Sequence, residues 1–310
     1  MSNPELIMNV RDAILKSGFP LEIEVLNICS TKNIGRIPSV RYVYDGQEHE
    51  IDLIVQIEQM IHRFSKGENF QYTKSIMIIE CKKSDDKPWV FFCSPDYQEE
   101  PWAGNVTYLS DFNLYFSKAH RHSLLGQIFK NLKRNHYNDT SIPLSTGYHE
   151  PFKSHDAKSE IYRAVESVLT FLSYACENES SKLTISGSET TFYFPVIVFD
   201  GILFEAMVTP EGLDLHERQH ILYRARREDS SLMVDVVTKS YFPKFLDMVE
   251  EDNREYVKCI NMLQFPKAHK SVITRSHGLK VRRRQKQREE GIDFLILHRD
   301  PATGRVVYGT

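Results

Sequence analysis

The ionisable residues with the clearest chemical potential stand in two short apolar runs in the first third of the chain. Asp52 lies within residues 50–55, and Glu80 and Lys82 lie near the end of residues 75–83. Both runs are rich in Val, Ile and Leu, which is the pattern of buried β-strands. Because an unpaired carboxylate is costly in a buried strand, this grouping predicts a metal site or a catalytic site.

The spacing of these residues indicates which chemistry they would support. Residues two apart on a strand project from the same face, so Glu80 and Lys82 are expected side by side, with the Cys81 backbone carbonyl nearby. If the strand that carries Asp52 pairs with this one, the two carboxylates meet. Two carboxylates, a carbonyl oxygen and waters suit Mg²⁺ or Mn²⁺. Such an ion would polarise a phosphate oxygen and help to generate hydroxide, while Lys82 would orient or deprotonate the attacking water.

Two helices are predicted before these strands. Apolar residues at helical spacing indicate a helix over residues 5–16, and Pro20 suits the first turn of a second helix over residues 21–31. The second helix carries Glu22 and Glu24 among apolar residues, so at least one of these glutamates lies close to its packing face.

The remaining pattern predicts one α/β domain with additions. Helices are expected at residues 124–132, 158–177 and about 241–263. Strands are expected at residues 39–44, 192–199, 202–208, 220–227, 232–238, 292–298 and 305–308. Asp200-Gly201 predicts a hairpin between residues 192–199 and 202–208, because this pair suits a two-residue primed turn.

The order of these elements and the charged residues resembles a known enzyme family. Asp52, followed 28 positions later by Glu80-Cys81-Lys82 and preceded by a glutamate-bearing helix, is similar to the PD-(D/E)XK, restriction-endonuclease-like nucleases. The resemblance implies a core of a helix, three strands, a helix and a strand around a mixed central sheet. Residues 21–31, the strands up to Lys83, residues 158–177 and residues 192–199 would supply that order.

The resemblance also implies a role for each candidate residue. Asp52 resembles the metal-binding aspartate of the family, Glu80 its second acidic ligand and Lys82 its catalytic lysine, with the Cys81 backbone carbonyl as a further metal ligand. Glu22 would complete the site from the first helix and is a further candidate metal ligand.

Three positions leave alternatives open or depart from the family pattern. The opening Gly18-Phe19-Pro20-Leu21-Glu22 resembles several bacterial members and favours Glu22 as the first-helix acid, with Glu24 as the alternative. Ile51 stands where the family name would put proline, a change that members tolerate. Glu166 is the nearest candidate for the polar helix residue that often follows the third strand.

The resemblance also implies how the chain is organised. Residues 1–83 would form the N-terminal half of the nuclease core with its catalytic motifs, and residues 84–157 an insertion. Residues 158–240 would complete the core with a helix and antiparallel strands. Residues 241–310 would form a helical and hairpin C-terminal extension that carries a basic run, within one compact domain.

The resemblance implies a metal-dependent endonuclease. The expected reaction is phosphodiester hydrolysis in double-stranded DNA that leaves a 5′-phosphate, with Mg²⁺ or Mn²⁺ as cofactor, in bacterial restriction or anti-phage defence. A homodimer is expected because a double-strand break requires two cuts.

Composition sets further bounds on partners and location. The 310 residues carry a formal net charge of −3, which gives no overall electrostatic footprint for nucleic acid. One basic run could contact phosphates: Lys280, Arg282, Arg283, Arg284, Lys286 and Arg288. Five scattered cysteines without a Cys-x-x-Cys pair argue against a disulfide framework or a zinc ribbon. No membrane-spanning apolar stretch or signal-peptide pattern occurs, so a cytoplasmic protein is expected.

Two other functions are compatible with parts of the sequence. The first is a nucleic-acid-binding protein on the same fold that does not cleave. The second is a zinc peptidase, because His216-Glu217-x-x-His220 matches a motif that holds zinc when it is helical. Gly212 and the strand pattern after His220 argue against a helix there, and both histidines are expected at an exposed loop and strand edge.

Aromatic residues after the second acidic strand suggest either base stacking or core packing.

Overall fold

The structure is a computed structural model that describes residues 3–32, 34–63, 70–84, 87–93, 107–110, 136–152, 159–181, 189–227, 230–262, 296–299 and 306–309. Its helices are α1 (Pro4–Lys16), α2 (Phe19–Thr31), α3 (Glu160–Ser181) and α4 (Phe242–Met262), with a 3₁₀ helix at His136–Asn138. Its strands are β1 (Gly35–Tyr44), β2 (Gln47–Arg63), β3 (Phe70–Lys83), β4 (Trp89–Cys93), β5 (Thr107–Ser110), β6 (Leu144–His149), β7 (Glu189–Asp200), β8 (Leu203–Thr209), β9 (Gly212–Arg218), β10 (His220–Arg227), β11 (Ser230–Thr238), β12 (Ile296–Arg299) and β13 (Val306–Gly309).

A large mixed sheet forms the centre of the fold. Eleven strands join it, in the order β1-β2-β3-β7-β11-β10-β6-β4-β8-β9, with β5 paired to β7. The meander β1-β2-β3 is antiparallel, whereas β3 and β11 run parallel to β7. β7 lies between strands on both sides, and its apolar run is buried nearly throughout, as expected for a central parallel strand.

Helices cover both faces of the sheet. On one face α2 and α4 pack with the apolar residues of β2, β3 and β7 around Leu21, Val25 and Phe245. On the other face α3 packs through Ile161, Val168 and related residues of its inner face. Burial of these two apolar layers provides the main stabilisation of the sheet, and it places α2 and α3 on opposite sides of the strands that carry the candidate residues.

The α/β class and most of the predicted elements are confirmed. α1, α2, α3 and α4 lie within a few residues of the helices expected from periodicity, and β10 and β11 form the expected antiparallel pair. The predicted C-terminal hairpin is present as the pair β12 and β13. The helix expected at residues 124–132 lies outside the described residues. None of the described helices is long and apolar enough to cross a membrane.

The segment expected as an insertion contributes to the sheet. β4 and β6, from residues 84–157, pair with each other and with strands of the later part of the chain. The described portions of this segment are therefore continuous with the main sheet rather than appended to its surface.

The predicted hairpin across Asp200-Gly201 is wrong. β7 pairs with β3 and β11, whereas the next strand, β8, pairs with β4 and β9. Gly201 has another role, since a Cβ there would lie 2.5 Å from Cζ of Phe199 and 2.7 Å from the carbonyl oxygen of Ser84. The glycine is needed because two chain segments approach closely where β7 ends, and the Ser84 N–H donates to the Asp200 carbonyl at 3.0 Å.

The close approach at Gly201 gives the first testable prediction. Gly201→Ala should lower the free energy of unfolding by about 2 kcal/mol, because the added methyl group overlaps a buried ring and a backbone oxygen. Denaturant unfolding would measure the loss. Gly147→Ala is the matched control, since its Cβ would meet its nearest neighbour, Cβ of Phe92, at 4.0 Å. Equal stability of the two variants would contradict the steric account.

A buried polar network joins α4 and the 3₁₀ helix to the sheet. His136 contacts Asp252 of α4 through Nδ1, and its Nε2 lies 3.3 Å from Oδ1 of Asp235 on β11. Tyr137 donates to Asp235 at 3.1 Å, and His220 Nε2 lies 2.8 Å from Oδ1 of the same carboxylate. All five side chains are buried. Such groups are stable in a core only when they satisfy one another, so the network fixes where these elements meet.

Electrostatics make His136 the cation of this network. Burial works to lower the pKa of His136, but Asp235 and Asp252 outweigh it and raise the pKa to about 10. Burial conversely raises the pKa of Asp235, but the contacts with His136 outweigh burial and lower it. The folded protein therefore holds an imidazolium beside a carboxylate in its interior.

The raised pKa of His136 predicts a loss of stability in mild alkali. The group binds a proton in the folded state up to about pH 10 but in the unfolded state only below about 6.5. Its contribution is thus fully present below about pH 6.5 and decreases as the pH rises towards 10. Denaturant unfolding should show the free energy of unfolding falling by up to about 1.4 kcal/mol per pH unit between pH 7 and 9.

The control for this pH dependence is the exposed residue His149. His149→Asn should keep the slope of the parent protein, because His149 is not part of the network. A free energy of unfolding that stays constant from pH 7 to 9 would rule out a buried imidazolium at His136.

Candidate active site

The candidate residues gather where β2 separates from β3. The two strands pair from Arg63↔Phe70 to Leu53↔Ile79, and the pairing ends before Asp52. β3 nevertheless continues beside β7 as far as Lys83. The Asp52 carboxylate bridges the opening, because its Oδ2 accepts the backbone N–H of Cys81 at 2.7 Å.

Glu80 is held from two directions. Lys82 donates from Nζ to Oε1 of Glu80 at 2.5 Å, as expected for residues two apart on one face of a strand. Ser167 of α3 donates from its hydroxyl to Oε2 of Glu80 at 2.8 Å. Glu80 is only 8% exposed as a residue, so both contacts compensate its carboxylate for the loss of water.

The two glutamates of α2 have different surroundings. Glu22 is half-buried, and the Asp52 and Glu80 carboxylates both act on its charge. Glu24 instead contacts Nζ of Lys239 at 2.9 Å, and that lysine also donates to Asp200 at 3.0 Å. The structure therefore brings Glu22, and not Glu24, into the electrostatic environment of Asp52 and Glu80.

Burial and crowding of negative charge together set the electrostatics of this site. Burial, followed by the charges of Asp52 and Glu80, raises the pKa of Glu22 to about 7. Burial also raises the pKa values of Asp52 and Glu80. For Lys82, burial works to lower the pKa, but Glu80 and Asp52 outweigh it and the pKa is raised. Lys82 is therefore protonated at neutral pH, beside carboxylates that are crowded and partly desolvated.

The donor set has the chemistry that a hard divalent cation requires, but it is small. Among the described residues no group of three or more His, Cys, Asp and Glu side chains could hold a metal ion. The predicted ligand set needs fewer side chains, since it combines Asp52 and Glu80 with the Cys81 carbonyl and waters. Burial raises the pKa values of Asp52 and Glu80, and the Asp52 charge adds to this effect at Glu80, so both carboxylates would gain from a nearby cation and the residues fit such an ion.

Comparison with known proteins does not add to this description. The chain matches no protein-family model, no curated protein and no solved structure. The geometry of the site and the order of the elements are therefore the observations from which function can be argued.

Ser167 and Tyr42 are two residues near the site that the sequence did not single out. Ser167 occupies the place beside Glu80, whereas its neighbour Glu166 acts electrostatically on Tyr148. Tyr42 is buried against Phe171, and burial together with Glu80 raises its pKa to about 12. A serine in a helix and a tyrosine in a strand are common, so neither carries a sequence signal for a site.

The other predicted features lie elsewhere. The basic run from Lys280 to Arg288 lies outside the described residues. Of the aromatic residues after β3, Trp89 and Phe91 are buried in the core, and Phe92 is partly exposed. Core packing is thus the role of the first two.

The His216-Glu217-x-x-His220 segment is not helical. His216 belongs to β9 and is exposed, whereas His220 begins β10 and contacts the buried Asp235. The expectation of exposure holds for His216 and is wrong for His220, because the buried network takes that imidazole into the core. The helical spacing that a zinc peptidase motif requires does not occur here.

The crowding of charge predicts that Glu22→Gln stabilises the protein. The pKa of Glu22 is raised in the folded state, so ionising it costs free energy above about pH 7 and costs nothing below about 4.5. Removing the charge should raise the free energy of unfolding by about 1 kcal/mol at pH 8, after solvent screening is allowed for, and by much less at pH 5. Thermal and denaturant unfolding without added metal would measure both values.

Glu24→Gln provides the control on the same helix. It removes a glutamate that contacts Lys239, so it should leave the stability unchanged or slightly lower it. A stabilising effect of Glu24→Gln equal to that of Glu22→Gln would show that the gain does not come from the site.

Proposed function

We propose that the protein is a metal-dependent nuclease that hydrolyses phosphodiester bonds, as an endonuclease on double-stranded DNA. One observation carries this proposal: Asp52 is hydrogen-bonded to the strand that presents Glu80 and Lys82 on one face. An aspartate, a second acid and a lysine at the end of two adjacent strands are the groups that the PD-(D/E)XK resemblance requires.

The order of the elements supports the same proposal. α2 is followed by the antiparallel meander β1-β2-β3, and α3 precedes β7, which runs parallel to β3. A helix, three strands, a helix and a strand is the core that the resemblance implies. The strands β4 to β6 enter between β3 and α3 without separating β3 from β7.

Each residue has a role that follows from its surroundings. Asp52, Glu80 and the Cys81 carbonyl would hold the ion, and Glu22 is a further candidate ligand. A bound Mg²⁺ or Mn²⁺ supplies Lewis acidity to a phosphate oxygen and lowers the pKa of water. Lys82 would orient the attacking water and offset the charge that develops on the phosphate. Ser167 keeps Glu80 in place.

The broader setting of the reaction rests on the resemblance alone. A bacterial restriction or anti-phage nuclease in the cytoplasm, which leaves 5′-phosphate ends, is consistent with it. The basic run from Lys280 to Arg288 would supply phosphate contacts, since the described lysines near the site have other partners. Lys239 contacts Glu24 and Asp200, and Lys83 donates to the Leu15 carbonyl.

A second candidate function is a nucleic-acid-binding protein that does not cleave. The observation in its favour is that both oxygens of Glu80 already have protein donors, namely Lys82 and Ser167. Such a protein would bind DNA in a salt-dependent manner without metal-dependent turnover.

Cleavage of supercoiled and linear plasmid with Mg²⁺ or Mn²⁺ tests the proposal. The unmodified protein should cut, and Asp52→Asn and Lys82→Gln should each lower the rate at least about 100-fold, because each removes a charge that acts on the reacting phosphate. Asp52→Asn keeps an oxygen that can accept the Cys81 N–H, and Lys82→Gln keeps a donor for Glu80. Both variants should therefore remain folded, which circular dichroism would verify.

Lys87→Ala and Glu24→Gln are the controls for activity. Both change exposed charged residues close in sequence to the site residues, and both should cut at the parental rate. Equal activity in all variants would refute the assignment of the site. A protein that binds DNA in a salt-sensitive manner, but does not cut it with either Mg²⁺ or Mn²⁺, would instead support the non-cleaving function.

A further inference from the structure

β9 is an open edge of the large sheet. Its seven residues pair with β8 in unbroken register, from Leu203↔Arg218 to Thr209↔Gly212. In the part of the chain that the structure describes, no strand pairs with its other side. Among the described strands, none therefore uses the N–H and C=O groups on that side of β9, which is the condition for pairing with a further strand.

The opposite edge of the sheet differs because it is interrupted. Pro38 of β1 has no N–H, and Ser39 adopts φ 46°. The register with β2 also skips a position between Pro38↔Leu53 and Val40↔Ile51. Proline and irregularities of this kind prevent pairing at an edge strand. β9 contains neither proline nor lysine and has no register break, so it is the edge that can accept a strand.

Apolar residues collect on one face of this open edge. Leu213 and Leu215 of β9 are 56% and 50% exposed, and Val208, which is opposite Leu213, is 78% exposed. Leu215 is opposite Ala206, which is in turn opposite Phe92 of β4. An apolar row thus crosses three strands and ends at the edge, where it is open to a partner.

One antiparallel register pairs the whole of β9 with β9 of a second copy. A two-fold axis perpendicular to the sheet requires one residue to face its own copy. If that residue is Leu215, the middle residue of Gly212–Arg218, all seven residues of β9 pair. Leucine then faces leucine, Asp214 faces His216 of the second copy twice by symmetry, and Leu213 faces Glu217 twice. A centre on Asp214 or Glu217 would place like carboxylates opposite each other, and a centre on any residue other than Leu215 would leave part of the strand unpaired.

We propose that the protein forms a two-fold symmetric dimer in which β9 pairs with β9 of a second copy, centred on Leu215. The two large sheets then form one continuous sheet, and the apolar row from Phe92 to Leu215 continues into the second copy. The pairing satisfies the open backbone groups of both edges at once, in the manner of β-strand addition. This inference concerns a different part of the molecule from the candidate active site and does not depend on the proposed function.

Sedimentation velocity over a series of micromolar concentrations tests the dimer. The parent chain should be dimeric, and Leu215→Lys should raise the dissociation constant at least tenfold, because two ammonium groups would face each other at the axis. Asp214→Arg should have a similar effect, since it places a cation opposite His216. Adding His216→Asp to Asp214→Arg should restore the dimer, because opposite charges then face each other again.

Leu6→Lys is the matched control. It changes a leucine of α1 that is 59% exposed and lies away from β9, so the dimer should persist. A monomeric parent chain, or a dimer that Leu6→Lys disrupts and Leu215→Lys does not, would overturn the proposal. Failure of the charge-reversed double variant to recover the dimer would overturn the register centred on Leu215.

Discussion

The candidate site depends on one constraint, the separation of β2 from β3 at one end of a sheet in which β3 stays paired with β7. A strand that loses its neighbour leaves backbone groups without partners, and these are costly where water is excluded. The Asp52 carboxylate accepts one of them, the Cys81 N–H, so the side chain continues the ladder where the backbone does not. The opening that results admits Glu22 from the helical layer on one face and Ser167 from the layer on the other.

The site is therefore built at the expense of stability. Two acidic strand residues, a helix glutamate and a single lysine share a space that is largely withdrawn from water, and burial raises the pKa of every carboxylate among them. Apolar residues would fill the same positions without repulsion. Groups that are held against their electrostatic preference by the surrounding fold are characteristic of functional sites, although structural ion pairs also shift pKa values.

The sequence predicted which strand residues lie together better than it predicted their surroundings, and the reason is the range of the interactions involved. Strand alternation and the spacing of Asp52, Glu80 and Lys82 are local features, so they can be recognised from the sequence alone. Choosing between Glu22 and Glu24 required Lys239, which is distant in sequence. The hairpin across Asp200-Gly201 failed for a related reason, since a two-residue turn signal cannot show that β7 is already paired on both sides. Ser167 and the partners of His136 carried no local signal at all.

β7 connects the candidate site to the buried network. Glu80 of β3 is in register with Ile197 of β7, and Asp235 of β11 is in register with the adjacent Val196. Glu80 contacts α3 on one face of the sheet, whereas Asp235 contacts His136, which is tied to α4, on the other. Two adjacent residues of one buried strand therefore lie beside the two clusters, one beside each. Because β3 and β11 both pair with β7, the strand that carries Glu80 and the strand that carries Asp235 are positioned by the same backbone.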